Sequence, residues 1–194
     1  MQQLVFATNN HHKIEEVLAK IGHQFIILSL DDIGCTDDIE ETGTTFAANA
    51  SIKSHYIYSK YQLSCFGDDS GLEIDALNGE PGVYSARYAG KHGDHQANMD
   101  KVLTLLNAQT NRKARFKTVI SLVLDGKEHF FEGTVEGTIR NQRSGSQGFG
   151  YDPIFQPDGY TITFAEMTMQ QKNAISHRAR AVEKMIAFLK AMGA

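Results

Sequence analysis

The first thirty residues limit the possible folds more than any other stretch of the chain. Leu4-Val5-Phe6-Ala7 is an unbroken apolar run, the pattern of a strand buried on both faces. Thr8-Asn9-Asn10 interrupts it with a polar turn. Ile14, Val17, Leu18 and Ile21 then recur at helical spacing, and Gly22 closes the helix. Phe25-Ile26-Ile27-Leu28 is a second apolar run. Strand, turn, helix and strand in this order open an α/β fold.

The remaining punctuation extends that reading. Gly34 to Thr42 is acidic and loop-like, and Thr44 or Thr45 can cap a helix reaching about Lys60. Cys65-Phe66-Gly67 reads as a short strand running into Asp68-Asp69-Ser70-Gly71, with a further strand at Leu72-Glu73-Ile74-Asp75. Asn78 to Gly93 is a long glycine-rich loop. Asp94 caps a helix whose apolar face is Met99, Val102, Leu103 and Leu106. From Ala114 to Leu124, Phe116, Ile120, Leu122 and Leu124 share one parity, and Asp125-Gly126 is a hairpin signal. The return strand reaches about Arg140. A last helix starts with Ser176 as N-cap, buries Val182, Met185, Ile186 and Leu189, and stops at Gly193. The expected fold is α/β: an elongated mixed β-sheet with flanking helices and two lobes around a central cleft. The 194 residues suit one such domain, residues 1–194.

Composition removes several classes. Hydrophobic residues are 41% of the chain, enough for a core and too many for disorder. No apolar run approaches the roughly 18–20 residues that span a bilayer. Met1-Gln2-Gln3 carries no basic residue ahead of its apolar run, so no secretory leader is expected. Cys35 and Cys65 form neither a disulfide framework nor a metal spacing, which suits a reducing cytoplasm. A net charge of −4 argues against a general nucleic-acid binder. It leaves room for a small anion, which needs only local positive charge.

The chemistry-bearing residues fall into two types. The first suits phosphate and metal. Thr8-Asn9-Asn10-His11-His12-Lys13 lies between a strand and a helix N-terminus, where unpaired amides favour an anion. It lacks the G-x-x-x-x-G-K-[ST] pattern of a P-loop. Glu41 precedes the next helix, which carries Lys53. Asp68 and Asp69 repel each other and need cations, donors or solvent to stay charged. On a strand their side chains point to opposite faces, so one enters the site and the other supports the loop. Mg²⁺ fits this set, because it takes oxygen ligands from one or two carboxylates plus substrate phosphates. The second type suits a planar polar ligand. Gly148-Phe149-Gly150-Tyr151-Asp152-Pro153 and Ser176-His177-Arg178 combine aromatic faces, a carboxylate and switchable or cationic groups. Arg87 clamps phosphate or pairs with an acid; the sequence leaves both open. There is no nucleophile elbow and no Ser/His/Asp order.

Together these segments resemble the Ham1/RdgB family of inosine/xanthosine triphosphate pyrophosphatases. The resemblance runs from Thr8 to about Ala181 through landmarks in order: Thr8-Asn9-Asn10 to Lys13; Glu41-Thr42-Gly43 with Phe46, Asn49, Ala50 and Lys53; Asp68-Asp69-Ser70-Gly71-Leu72; Pro81 to Tyr88; Gly148 to Pro153; and Ser176-His177-Arg178. It implies a metal-dependent hydrolase that converts ITP, dITP and XTP to the monophosphate and pyrophosphate, commonly as a homodimer. By matching position, Asp69 is the proton acceptor, and Glu41 with Asp69 holds Mg²⁺. The Thr8 to Lys13 turn, Lys53 and Ser70 contact the triphosphate. Phe149, Gly150, Tyr151, Asp152, Lys172, His177 and Arg178 form the base pocket. One position departs: Asn9 replaces the usual glycine of the turn, and asparagine tolerates positive φ better than most residues.

The implied selectivity concerns C6 of the purine. Donors from His177-Arg178 pair with a keto oxygen and are left facing the amino group of adenine, a mismatch that discriminates strongly. Two rivals remain at this stage. One is a Maf-like nucleotide pyrophosphatase with another base preference; the other is a nucleotide-binding regulator without catalysis.

Overall fold

The computed structural model describes residues 2–21 and 24–193. The helix stop expected at Gly22 lies outside the described residues. Strands β1 (Gln3–Phe6), β2 (Ile26–Leu28), β3 (Cys65–Ile74), β4 (Lys113–Leu124), β5 (Lys127–Ile139) and β6 (Phe155–Pro157) form a six-stranded sheet of order β2-β1-β3-β4-β5-β6. β1 pairs in parallel with both β2 and β3, while β5 and β6 are antiparallel. The sheet is therefore mixed, as expected for the α/β class. The helices are α1 (His11–Ile21), α2 (Phe46–Tyr61), α3 (His95–Leu105), α4 (Met169–Ile175) and α5 (His177–Ala191). No described helix is long and apolar enough to cross a membrane.

Local chemistry sets the element ends. Asn10 caps α1, its Oδ1 accepting from the amides of His12 (3.0 Å) and Lys13 (3.3 Å). Of the two candidate caps for α2, Thr45 is used: its Oγ1 accepts from the Ala48 amide at 3.1 Å. Asp94 caps α3 through the Ala97 amide at 3.1 Å. Each such cap stabilises its helix by about 1 kcal/mol. Asp125 (φ 49°) and Gly126 (φ 78°) make the tight β4–β5 turn.

The chain divides into two compact units. The first comprises Met1–Asp69, Thr118–Gly133 and Arg178–Ala194. Its strands are covered on both faces, which explains the unbroken apolar run of β1. Leu4 and Phe6 pack with Val17 and Ile21 of α1 and with Val182 and Met185 of α5. Val5 and Ala7 pack with Ile57 of α2 and with Cys65. Phe6 and Phe66 stack across β1 and β3, with ring centroids 4.5 Å apart. Both cysteines are free and buried, and the Cys65 thiol donates to the Ser54 carbonyl.

The second unit comprises Ser70–Lys117 and Thr134–His177. Met99, Val102 and Leu106 of the α3 segment pack against Leu72, Phe116 and Val135, and Leu103 adds a partly buried contact. Each fully buried Leu, Ile or Phe in these cores contributes about 1.5–3 kcal/mol.

Three features differ from expectation. Cys65–Ile74 is one continuous strand, so Asp68-Asp69-Ser70-Gly71 is extended backbone rather than a break between two strands. A separate helix, α4, precedes the last one. Ser176 joins them: its amide closes α4 on the Lys172 carbonyl at 2.8 Å, and its extended backbone (φ −65°, ψ 156°) precedes α5. Asn9 is not among the positive-φ residues, so the turn makes no use of asparagine's tolerance there.

Candidate active site

β3 separates its two acids by parity. Phe66 and Asp68 share one face, and Cys65, Gly67 and Asp69 share the other. Phe66 belongs to the cluster under α1 and α5, whereas Cys65 belongs to the cluster under α2. Asp68 therefore meets α1 and α5. Lys13 donates to its Oδ1 at 2.8 Å, and Arg178 Nε donates to its Oδ2 at 3.2 Å. Arg178 is also paired with Glu16, which lies one helical turn after Lys13. Asp68, Arg178 and Glu16 are all nearly inaccessible. Burial alone would raise the Asp68 pKa; the charges of Lys13, Arg178 and Lys53 outweigh it and hold the carboxyl well below the usual range.

Asp69 faces α2. Asn49 Nδ2 donates to its Oδ2 at 2.9 Å, while Asn49 Oδ1 accepts from the Gly43 amide at 2.7 Å. One buried amide thus ties the Glu41-Thr42-Gly43 segment to the strand. Lys53, one turn after Asn49, is paired with Glu41. Close approach makes this possible. A Cβ at Gly67 would lie 2.7 Å from the Ala50 carbonyl and 2.9 Å from Lys53 Cβ, so only glycine lets α2 settle this near β3. Asp69 is 5% exposed. Burial pushes its carboxyl up to about 6, against the pull of Lys53 and Lys13. Equal carboxyls one peptide bond apart thus differ: Asp68 is locked as an anion, and Asp69 is poised to exchange a proton near neutral pH.

Thr8 and the histidines complete this end. Thr8 Oγ1 accepts from the Asn10 amide at 3.2 Å, and Asn9, His11 and His12 are exposed at the start of α1. Burial lowers the Lys13 pKa, aided by Lys53 and Arg178 and opposed by Asp68. Among the described residues, no group of three or more His, Cys, Asp or Glu side chains converges as a metal cage. The donor set matches a hard cation held by one or two carboxylates, with the rest of its shell from elsewhere. Glu41 and Asp69 are the two carboxylates that could hold such an ion, and the Glu41 charge acts on Asp69.

The aromatic set belongs to the second unit. Asp152 Oδ2 accepts from the Phe149 amide (2.9 Å) and from Lys172 Nζ (2.6 Å). Lys172 Nζ also lies 5.1 Å from the Phe149 ring centre, a cation–π distance. Phe149, Gly150 and Ser70 are half-buried. Tyr151 is buried, and its hydroxyl donates to the Ser85 carbonyl at 2.8 Å, which makes it a strut for the loop more than an open face. His177 is buried and stacked on Phe116, with centroids 4.8 Å apart and planes 12° off parallel. Arg178, expected in the base pocket, is paired with Glu16 and Asp68 in the first unit. Glu16, Asn49 and Phe116 were not singled out as site residues. The only signal for Glu16 was its helical spacing from Lys13.

Gly148 shows how tightly this loop is drawn. Its φ is 73°, and a Cβ there would lie 2.0 Å from Asp152 Oδ2. Gly148→Ala should therefore displace the Asp152 carboxylate from Lys172 and the Phe149 amide. The expected result is a loss of about 1–3 kcal/mol in denaturant unfolding and a raised KM. Unchanged stability would mean that the loop does not hold Asp152 in this way.

Buried carboxylates and lysines in the first unit and an aromatic, donor-bearing set in the second mark an α/β protein with the groups of a hydrolase of charged, planar ligands. Comparison with known proteins gives the particular family. Residues 4–188 match the Ham1 family. A dITP/XTP pyrophosphatase of Flavobacterium psychrophilum is 52% identical over 97% of this chain and 99% of its own, and that of Porphyromonas gingivalis is 50% identical over 97% and 98%. The Ham1 protein of Staphylococcus aureus superposes with a TM-score of 0.90 at 41% identity, covering 98% of this chain and all of that one. The chain belongs to the Ham1 family.

Proposed function

We propose that the protein hydrolyses non-canonical purine nucleoside triphosphates, dITP and XTP among them and ITP with them, to the monophosphate and pyrophosphate. One observation carries the reaction: a buried carboxyl, Asp69, with its pKa pushed up to about 6 beside lysines able to bear phosphate charge. The substrate reading is supported by relatives named dITP/XTP pyrophosphatase that are matched over nearly their whole length.

In this reading Lys13, Lys53, Ser70 and the Thr8 to Lys13 turn take up the triphosphate. Asp69 accepts a proton from the water whose oxygen attacks the α-phosphorus. The bond from that phosphorus to the bridging oxygen breaks, and pyrophosphate leaves with the electron pair. Asn49 keeps Asp69 oriented, and Asp68 keeps Lys13 in place. Glu41 and Asp69 would hold Mg²⁺, which would neutralise charge on the phosphates when bound. Phe149, Lys172 and His177 receive the base. The bonded set of Glu41, Lys53, Asn49 and Asp69 argues against a regulator that has lost catalysis.

With Mg²⁺, the purified protein should release pyrophosphate, and no orthophosphate, from dITP and XTP, with far lower turnover of ATP and GTP. Chelation should stop the reaction and Mg²⁺ restore it. Orthophosphate as first product would overturn the proposal. The proposal extends to a homodimer in the cytoplasm, supported by the family resemblance; its solution mass should be about twice the chain's 21.5 kDa.

A further inference from the structure

Two faces of α2 meet polar groups. Asn49 and Lys53, four residues apart, meet Asp69 and Glu41. Ser51, Ser54, His55 and Tyr58 follow the i, i+3, i+4, i+7 spacing of a second face, which meets the β4–β5 hairpin. An inward stripe of this kind is ordinarily apolar, and here it is polar. Ser54 and Ser121 are fully buried, with their hydroxyl oxygens 2.6 Å apart. Ser121 donates to Glu128 Oε1 at 2.7 Å, and His55 Nε2 lies 3.2 Å from Oε2. Ser51 also bonds to Glu128. Tyr58 covers the turn: a Cβ at Gly126 would lie 3.3 Å from its hydroxyl oxygen. The reaction proposed above uses none of these side chains.

Hydrogen counting gives the seam a direction. Burial would raise the Glu128 carboxyl, but bonds from Ser121, Ser51 and His55 outweigh it and hold the group below its usual range. Glu128 is therefore an anion that only accepts. Ser121 gives it the single hydrogen of its hydroxyl. The hydrogen between the two serines then comes from Ser54, which otherwise bonds back to the Ser51 carbonyl at 3.1 Å. The carboxylate thus draws the Ser54 hydroxyl out of its own helix and onto the hairpin. Ser54 follows Lys53, where α2 lies close against β3: a Cβ at Gly67 would lie 2.9 Å from Lys53 Cβ and 3.2 Å from the Ser54 amide nitrogen. A satisfied buried polar network specifies one arrangement of the elements it joins. Resting on the proposed function, we infer that Glu128 is a positioning residue: through Ser121 and Ser54 it fixes α2 on the hairpin, so that Asn49 orients Asp69 and Lys53 is held for the phosphates.

The test is kinetic, with dITP and Mg²⁺ at a temperature where every variant is folded. Glu128→Leu should lower kcat on the order of tenfold and raise KM, because the groups carried by α2 shift from their places. Glu128→Gln still accepts from Ser121 and should recover kcat to within about twofold of wild type. In an Asn49→Ala background, Glu128→Leu should cost less than about twofold in kcat, because the orienting amide that it serves is gone. A role in stability alone would show neither the kcat loss in folded protein nor this coupling. If Glu128→Leu does not fold, Ser121→Ala cuts the same relay and is compared in its place. An unchanged kcat in Glu128→Leu, no recovery in Glu128→Gln, or an undiminished loss in the Asn49→Ala background overturns the assignment of Glu128 alone. A wild-type protein that releases no pyrophosphate from dITP overturns instead the functional reading beneath it.

Discussion

Asp69→Asn should abolish pyrophosphate release while making the metal-free protein more stable at pH 7.5. The loss of activity should be at least about 10³-fold, since the variant cannot accept the proton from the attacking water. The stability gain follows from linkage. The Asp69 pKa rises from 3.8 to about 6 on folding, so the folded state holds this proton more tightly than the unfolded state does. That contribution is complete below about pH 4 and is lost as pH rises through about 6; above that, burying the anion opposes folding by about 3 kcal/mol. Asp68 has the opposite sign. Its lowered pKa stabilises the fold above the ordinary carboxylate range and is lost only in strong acid. In chelator, wild type should therefore become more stable between pH 7.5 and 5. Asp69→Asn should lack that gain, as denaturant titration at the two pH values would reveal. Identical pH dependence in the two proteins would rule out a buried, proton-poised Asp69.

The second large effect concerns Glu16. Arg178, Asp68 and Glu16 form a buried triad in which one guanidinium serves two carboxylates. Removing one partner of a buried pair leaves charge uncompensated, at a cost of about 3–5 kcal/mol. Glu16→Gln keeps an acceptor and the shape, so the lower end applies. For a chain of this size the melting temperature should fall by about 6–12 °C. The exposed neighbour Glu15 is the control, and Glu15→Gln should shift stability by less than about 0.5 kcal/mol. The Glu16 variant should also show a raised KM, because Arg178 and Lys13 share Asp68. A melting temperature within a degree of wild type would show that the triad adds nothing to the fold.

Glu16 also marks where the sequence becomes illegible. It is joined to Arg178 across 162 positions, and no local pattern reports such a partner. Arg178 follows His177 in the chain; its guanidinium is paired with Glu16 and Asp68, while the His177 ring stacks on Phe116. Asp68-Asp69-Ser70-Gly71 was read as a break because aspartate and glycine are poor strand formers. The flanking cations and Asn49 override that preference by pairing each acid on its own face. α4 was foreseeable: Thr168-Met169-Gln170-Gln171 is a capping box, with both reciprocal bonds present. By contrast, the β1–α1–β2 opening, the caps at Thr45 and Asp94 and the turn at Asp125-Gly126 rest on nearest-neighbour chemistry. They were legible for that reason.

The alternation of β3 has an evolutionary consequence. A single-residue deletion between Phe66 and Asp68 would do more than shorten the strand. It would turn each acid toward the other's partners, setting the locked anion against Asn49 and the proton carrier against Arg178. Both carboxylates would remain in the chain while their assignments were exchanged. The frame of this strand is therefore as constrained as the identity of the residues it carries.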